Sequence, residues 1–200
     1  MAPTIYVVYY SMYGHIYKLA KEVVAGLEAE GVTVKLFQVP ETLPEEVLGK
    51  MHAPPKQDVP LISANDLTDA DGFVFGYPTR FGNMAGQFKQ FWDSTGGLWM
   101  KGALAGKPFS IFTSTASQGG GQENTIASSL SNFVHHGMVF VPPGYTMGAE
   151  LYDLTTPRGG SAWGAGTFTS SDGSRQPSEV ELKFAKHQGK IFGQFVNRLK

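Results

Sequence analysis

The sequence predicts an open, doubly wound parallel α/β sheet of five strands with helices on both faces. Three observations predict it. The first apolar segment is continuous rather than alternating, as in a strand buried on both faces. A 3.6-residue period follows it, and then a second short strand. That alternation of strand and helix recurs to the end of the 200 residues.

Thr4-Ile5-Tyr6-Val7-Val8-Tyr9-Tyr10 is an unbroken β-branched and aromatic run, expected as a strand in the middle of the sheet. Beyond a small polar loop, Ile16, Leu19, Ala20, Val23, Val24 and Leu27 recur at steps of three and one. They mark one face of a helix that Gly31 closes. Thr33 to Gln38 is the second strand, completing a βαβ unit whose crossover is expected to be right-handed. Gly72-Phe73-Val74-Phe75-Gly76-Tyr77, entered from the polar Asp66 to Asp71 turn, is the third. A helix from about Gly86 to Ser94 carries Phe88, Phe91 and Trp92 on one side. Pro108 to Thr115 contains the fourth strand, Phe109-Ser110-Ile111-Phe112-Thr113, and Gln122 to His136 reads as a helix through Ile126, Leu130, Phe133 and Val134. Met138-Val139-Phe140-Val141 is the fifth strand. The last helix, from about Ser178, sets Leu182, Ala185, Gly189, Phe192, Val196 and Leu199 on one face behind a capping box, Ser178-Glu179-Val180-Glu181.

Two stretches fall outside this repeat: the proline-rich Pro40 to Pro60, with a short acidic helix at Glu45 to Lys50, and the glycine-rich, aromatic insertion at about 142–177 before the last helix. Loops of that length are usually functional or part of an interface. With no internal repeat and no linker, residues 1–200 are expected to form a single domain.

Composition excludes several function classes. Without cysteine there are no disulfides, thiolate metal sites, iron–sulfur clusters or cysteine nucleophiles. Sixteen Lys and Arg against 17 Asp and Glu leave a net charge of −1, so no broad field exists for nucleic acid, an acidic membrane or a charged protein partner. No apolar run approaches the roughly 18 residues of a membrane span. Met1-Ala2-Pro3-Thr4 lacks the basic start of a signal peptide, and Asn197-Arg198-Leu199-Lys200 carries no prenylation or peroxisomal signal. A cytoplasmic protein is expected.

In such sheets ligands bind beyond the carboxyl ends of the strands, where strand order reverses. Three unusual loops emerge there. The first, Ser11-Met12-Tyr13-Gly14-His15-Ile16, has a hydroxyl, a glycine and the amides of a helix N-terminus, as a phosphate cradle needs. It also reads, equally well, as a plain turn with Ser11 as a cap. The second, Pro78-Thr79-Arg80-Phe81-Gly82-Asn83, holds a cation that could pair a phosphate or sit at the pyrimidine edge of a flavin, stabilising its anionic reduced ring. The third runs Ser114-Thr115-Ala116-Ser117-Gln118-Gly119-Gly120-Gly121. Competing motifs fail. Ser11 to Ile16 has one glycine where a dinucleotide fingerprint needs three, no triphosphate-binding G-x-x-x-x-G-K-[ST] occurs, and no G-x-S-x-G surrounds Ser114 or Ser117. His135 and His136 end a helix about 100° apart, too divergent to chelate one metal easily, so no metal is expected and at most one faces a site. Trp92 is expected in the core. Trp99 lies outside any regular period, free for stacking or an interface.

With these loops placed, the chain resembles the WrbA-type NAD(P)H:quinone oxidoreductases, flavodoxin-like FMN proteins. The resemblance runs nearly end to end. It rests on Tyr9-Tyr10-Ser11-Met12-Tyr13-Gly14-His15-Ile16, Pro78-Thr79-Arg80-Phe81-Gly82-Asn83, Thr95-Gly96-Gly97-Leu98-Trp99, Gly119-Gly120-Gly121-Gln122-Glu123, His135-His136-Gly137-Met138-Val139 and Gly173-Ser174-Arg175-Gln176-Pro177-Ser178, in order and register. It implies a flavodoxin-like sheet of order 2-1-3-4-5 and non-covalent FMN at the first strand end. Ser11 to Ile16 would hold the phosphate, and Thr79 to Phe81, within Pro78 to Asn83, would meet the polar edge of the ring. Ser114, Thr115, Ala116, Ser117, Gln118 and Gly119 would run along the ribityl chain and ring. His135 would approach from the far side, Tyr13 would help place NADH or NADPH, and Trp99 would wall the quinone site. The family is typically a homotetramer, a dimer of dimers, with sites completed by neighbouring subunits. Two departures stand out: the loop at Ser117-Gln118 is one residue longer than the family pattern, and Tyr13 and Ile16 replace threonines of the small flavodoxins. Phosphate binding therefore leans on backbone amides.

The activity so implied is that of an FMN-dependent NAD(P)H dehydrogenase of quinones, reducing them by two electrons to hydroquinones with ping-pong kinetics at one flavin. A one-electron flavodoxin-type carrier would gain from a strong net charge that this chain lacks, and the intact candidate loops argue against a non-catalytic scaffold or regulatory protein, FMN-binding or not, that keeps the fold without the activity.

Overall fold

A computed structural model describes residues 2–199; Met1 and Lys200, at the tips of the two terminal segments read above, lie outside the described residues. In chain order the elements are β1 (Thr4–Tyr9), α1 (His15–Glu28), β2 (Thr33–Gln38), α2 (Glu45–Lys50), β3 (Gly72–Arg80), β4 (Asn83–Met84), α3 (Gly86–Asp93) and α4 (Gly96–Met100). There follow β5 (Pro108–Thr115), α5 (Gln122–Val134), β6 (Val139–Phe140), β7 (Gly166–Phe168) and α6 (Glu179–Asn197). The sheet runs β2-β1-β3-β5-β6 with every one of these pairs parallel, the expected 2-1-3-4-5 order.

The pleat explains why the strands read as continuous apolar runs, because successive side chains go to opposite faces and both faces are covered. Ile5, Val7 and Tyr9 of β1 join Val74 and Phe112 against Leu19, Val23, Phe184 and Phe192 of α1 and α6. Tyr6 and Val8 join Phe73, Phe75 and Phe109 against Phe88, Trp92, Ile126 and Phe133 of α3 and α5.

Three expectations need correction. The fifth strand is not a continuous Met138–Val141 segment, and the insertion does not simply follow it. β6 pairs with Pro108 and Phe109, and Val141 N–H still donates to the Phe109 carbonyl at 2.8 Å. Pro143, the next residue in that alternation, has no N–H to donate, so the chain leaves the sheet. It returns as β7, where Gly166, Thr167 and Phe168 pair with Thr113, Ser114 and Thr115. The insertion thus splits the edge strand in two. Second, β3 continues past Tyr77 to Arg80 and turns back into β4, so Pro78 to Asn83 is a hairpin rather than a loop. Third, Trp99 sits on a short helix, α4.

Candidate functional site

Ser11 leaves β1 at its carboxyl end, buried, and the chain turns at Gly14, whose φ of 89° is one that side-chain-bearing residues rarely adopt. The Gly14 N–H donates to Ser11 Oγ at 3.1 Å. Ser11 therefore braces the turn and does not cap α1. Gly14 is the N-cap itself, no side chain caps the helix, and no acid occupies its first turn. Helix geometry leaves the His15, Ile16 and Tyr17 amides without an intrahelical acceptor, at the positive end of a 14-residue dipole. Of the two sequence readings of this loop, the geometry favours the anion cradle. His15 is buried, and Nε2 lies 2.9 Å from the Arg175 carbonyl, which can only accept, so Nε2 carries the proton. Burial pushes the His15 pKa below the usual imidazole value.

At the end of β3, Thr79 Oγ1 accepts from the Gly82 amide at 3.1 Å and from Thr125 Oγ1 at 2.6 Å, tying the hairpin to α5. Arg80 Nη1 donates to the Thr79 carbonyl at 2.9 Å, and Arg80 forms no ion pair among the described residues. Phe81 and Gly82, with φ of 54° and 79°, make the hairpin turn, and the Phe81 ring is fully exposed. At the end of β5, Ser114 and Thr115 are buried, and Thr115 Oγ1 donates to the Ser117 carbonyl at 2.8 Å, bending the chain away.

These ends enclose a cleft of about 500 Å³, within the range of small-molecule sites. Ser11, Met12, Tyr13, His15 and Ile16 line it, with Pro78, Thr79, Arg80, Ser114, Thr115 and Ala116. Gly14 shapes the loop without lining the cavity. Phe81, Gly82, Asn83 and Ser117 are not in its wall, and Gln118 and Gly119 line a separate cavity beside Arg158. His135 and Trp99 are not brought to the cleft within one chain. His135 is the exposed C-cap of α5 and Trp99 is exposed on α4 just before β5, both at the amino-terminal end of the sheet.

One wall went unread in the sequence. Thr169, Ser170, Ser171, Asp172 and Gly173, just after β7, face the cleft, as does Met51. Arg175 holds this loop, donating from Nη1 to the Phe168 carbonyl at 2.7 Å and to Glu181 Oε2 at 3.0 Å. Glu181 is the acid of the capping box and is buried. It accepts in addition from the Ser178 amide at 2.7 Å, Thr167 Oγ1 at 2.8 Å and the Gly159 amide at 2.7 Å. The box was legible in the sequence; that its acid also anchors Arg175 was not. The assembled cleft offers an uncapped helix N-terminus, an unpaired guanidinium and hydroxyls from two strand ends, beside the apolar flanks of Met12 and Ile16. That set suits a planar ligand carrying a phosphate.

Comparison with known proteins agrees. A family model described as NADPH-dependent FMN reductase matches residues 10–152. The chain is 57% identical over 201 residues to a quinone oxidoreductase, QR2, of Triphysaria versicolor, covering 100% of this chain and 98% of that one. It is 51% identical over 199 residues to the NAD(P)H quinone oxidoreductase PST3 of Candida albicans, covering 99% and 100%. Among solved structures, a flavodoxin, WrbA-like protein from Agrobacterium tumefaciens superposes with a TM-score of 0.67 at 24% identity over the full length of both chains. Flavodoxin 2 of Bacillus cereus does so at 0.59 and 18%, covering 98% of this chain and 99% of that one.

Proposed function

The chain belongs to the NADPH-dependent FMN reductase family, among the flavodoxin-like NAD(P)H:quinone oxidoreductases, and from that premise we propose that it reduces quinones by two electrons at the expense of NADH or NADPH. One observation carries the reading: the α1 N-terminus, with neither a capping side chain nor an acid in its first turn, opens into a cleft shared by the ends of β1, β3 and β5. The residues present fit FMN. The loop Ser11–Ile16 would take the phosphate, Arg80 and Thr79 the polar edge of the ring, and Ser114 to Ala116 the ribityl side. Bound there, FMN supplies hydride transfer in both directions, taking it from the nicotinamide and passing it to the quinone.

The protein's own part is binding, orientation and charge. Amides at the helix end neutralise the phosphate without a lysine or arginine in the loop. The Arg80 guanidinium, unpaired, favours the extra negative charge of the reduced ring. Thr79, Thr115 and Thr169 all line this one cleft, and we infer that nicotinamide and quinone take turns at the same face of the ring there. Parallel initial-rate lines are expected as quinone is varied at fixed NADH concentrations; intersecting lines, which require a ternary complex, overturn the shared face. A simpler test comes first. The purified protein mixed with FMN retains the yellow colour after gel filtration, loses it with NADH and regains it with benzoquinone; a colourless eluate sinks the assignment.

We also infer that four copies assemble as a dimer of dimers, bringing Trp99 and His135 of one copy toward the cleft of another. Their exposure at the end of the sheet away from their own cleft supports it, as do the neighbouring exposed Met100 and Val134. Light scattering giving a monomer mass at micromolar concentration overturns it.

A further inference from the structure

The crossover between β2 and β3 contributes almost nothing to the cleft wall, yet it is fastened to the phosphate loop. Tyr13 Oη donates to the Met51 carbonyl at 3.1 Å, and Lys56 Nζ donates to the Ser11 carbonyl at 3.0 Å. Lys56 also pairs with Glu41 at 2.8 Å and lies 4.5 Å above the centre of the Tyr10 ring. Glu41 is itself held in place. Tyr10 Oη donates to its Oε2 at 2.8 Å, Gln87 Nε2 to its Oε1 at 3.0 Å, and the Thr42 and Leu43 amides to Oε1 at 2.9 and 3.2 Å. Burial alone would push the Glu41 carboxyl up, but donation from Lys56, Tyr10 and these amides outweighs it and holds the pKa at about 2. The carboxylate is therefore charged throughout the working range.

We propose that Lys56, aimed by Glu41, is a positioning residue for phosphate recognition by the loop Ser11–Ile16. The proposal rests on the FMN reading above. An anion entering this loop is attracted by N–H groups and repelled by carbonyls. Lys56 removes one repulsive carbonyl, that of Ser11, by occupying it with an ammonium. Because the peptide is planar and trans, the Met12 N–H then points the opposite way, away from Lys56. Glu41 offsets the charge of Lys56, so the pair acts through peptide orientation and adds little net attraction at a distance. Both side chains are largely shielded, at 28% and 15% exposure, so salt weakens the pair less than a surface pair.

The test compares dissociation constants of the full-length protein for FMN and for riboflavin, read by quenching of flavin fluorescence; their ratio isolates the phosphate. Lys56→Met is expected to weaken FMN about tenfold and riboflavin by less than about twofold. Glu41→Gln separates orientation from bulk charge. Removing a negative charge tightens FMN if attraction at a distance is what matters, whereas loss of positioning weakens it. Weaker FMN binding by Glu41→Gln with riboflavin unchanged supports the proposal; tighter binding, or a wild-type ratio in both variants, overturns it. Should Lys56→Met fail to fold, the sign of the Glu41→Gln effect decides alone. A wild-type protein that binds riboflavin as tightly as FMN defeats the phosphate-site reading itself, whereas a wild-type preference for FMN that both variants retain defeats only the role of Lys56.

Discussion

Arg80 and Arg175 show how differently two cations near one cleft can be used. Among the described residues Arg80 hydrogen-bonds the carbonyl of its neighbour Thr79 and pairs with no acid, so its removal orphans none. Arg80→Gln is therefore expected to leave the thermal midpoint nearly unchanged while lowering the turnover of quinone reduction roughly 10–100-fold, as loss of a donor aimed at developing charge does. A steady-state assay beside a melting curve checks both halves. Arg175 is structural, because its partner Glu181 has a fully buried side chain. Arg175→Met strips that carboxylate of the one cation paired with it among the described residues, and we expect a stability loss of about 2–3 kcal/mol by urea denaturation, at the low end for a broken buried pair because three other donors remain on Glu181. FMN binding should weaken with it, since the Thr169–Gly173 wall loses its anchor. Arg80 could be singled out from sequence, standing between two other binding loops. Arg175 could not, because nothing local marks an arginine that folds back onto an acid six residues later.

Among the elements, α1 and α6 depend on one close approach. Gly189 of α6 packs so tightly on α1 that an added Cβ would lie 2.2 Å from the Val23 carbonyl oxygen, and Gly26 faces the Lys186 carbonyl in the same way at 1.9 Å. Neither neighbour is a side chain that can swing aside. Gly189→Ala should push the helices apart and cost about 1–3 kcal/mol, outweighing the helix propensity alanine gains. A urea midpoint no lower than wild type would show that the helices separate freely. The stripe containing Gly189 was legible as the buried face of a helix; the choice of Gly over Ala within it reflects the partner helix and is invisible locally. The split edge strand teaches the same lesson. Val139-Phe140-Val141 carries a strand signal, whereas Gly166-Thr167-Phe168 is too short and glycine-flanked to carry one. It becomes a strand because β5 offers it a free edge.

For the molecule as a whole, two buried imidazoles, His15 and His136, and the half-buried His187 set the response to acid. Burial pushes His15, His136 and His187 below the ordinary value of 6.5. Their unfolded forms bind protons at pH values where the folded forms do not, so their stabilising contribution is present above about pH 6.5 and is lost as pH falls through the lowered folded values. Glu41 adds a second stage. Held at about 2 against an ordinary 4.5, it stabilises above the ordinary value and gives that up only toward about pH 2. The urea midpoint should fall between about pH 7 and pH 5 and again below about pH 4. A midpoint that rises on acidification from neutrality would contradict the assignment of these histidines as shielded and neutral. Among the described residues no helix is long and apolar enough to cross a membrane.

Local pattern alone determined the alternating strands and helices of a parallel sheet and the loops that meet at its carboxyl edge, while the strand order came with the family resemblance. Two-sided burial writes itself into a strand as an unbroken apolar run, and a helix as a 3.6-residue stripe. A phosphate loop is likewise local, since Ser11, Gly14 and the first amides of α1 are neighbours in the chain. Tertiary structure alone decided which residues close the cleft from a distance. Lys56 on the Ser11 carbonyl, the Thr169–Gly173 wall and the removal of Gln118 and Gly119 to another cavity all involve partners that the sequence keeps apart. Contacts of that kind are chosen by where the chain returns in space, which no periodicity records.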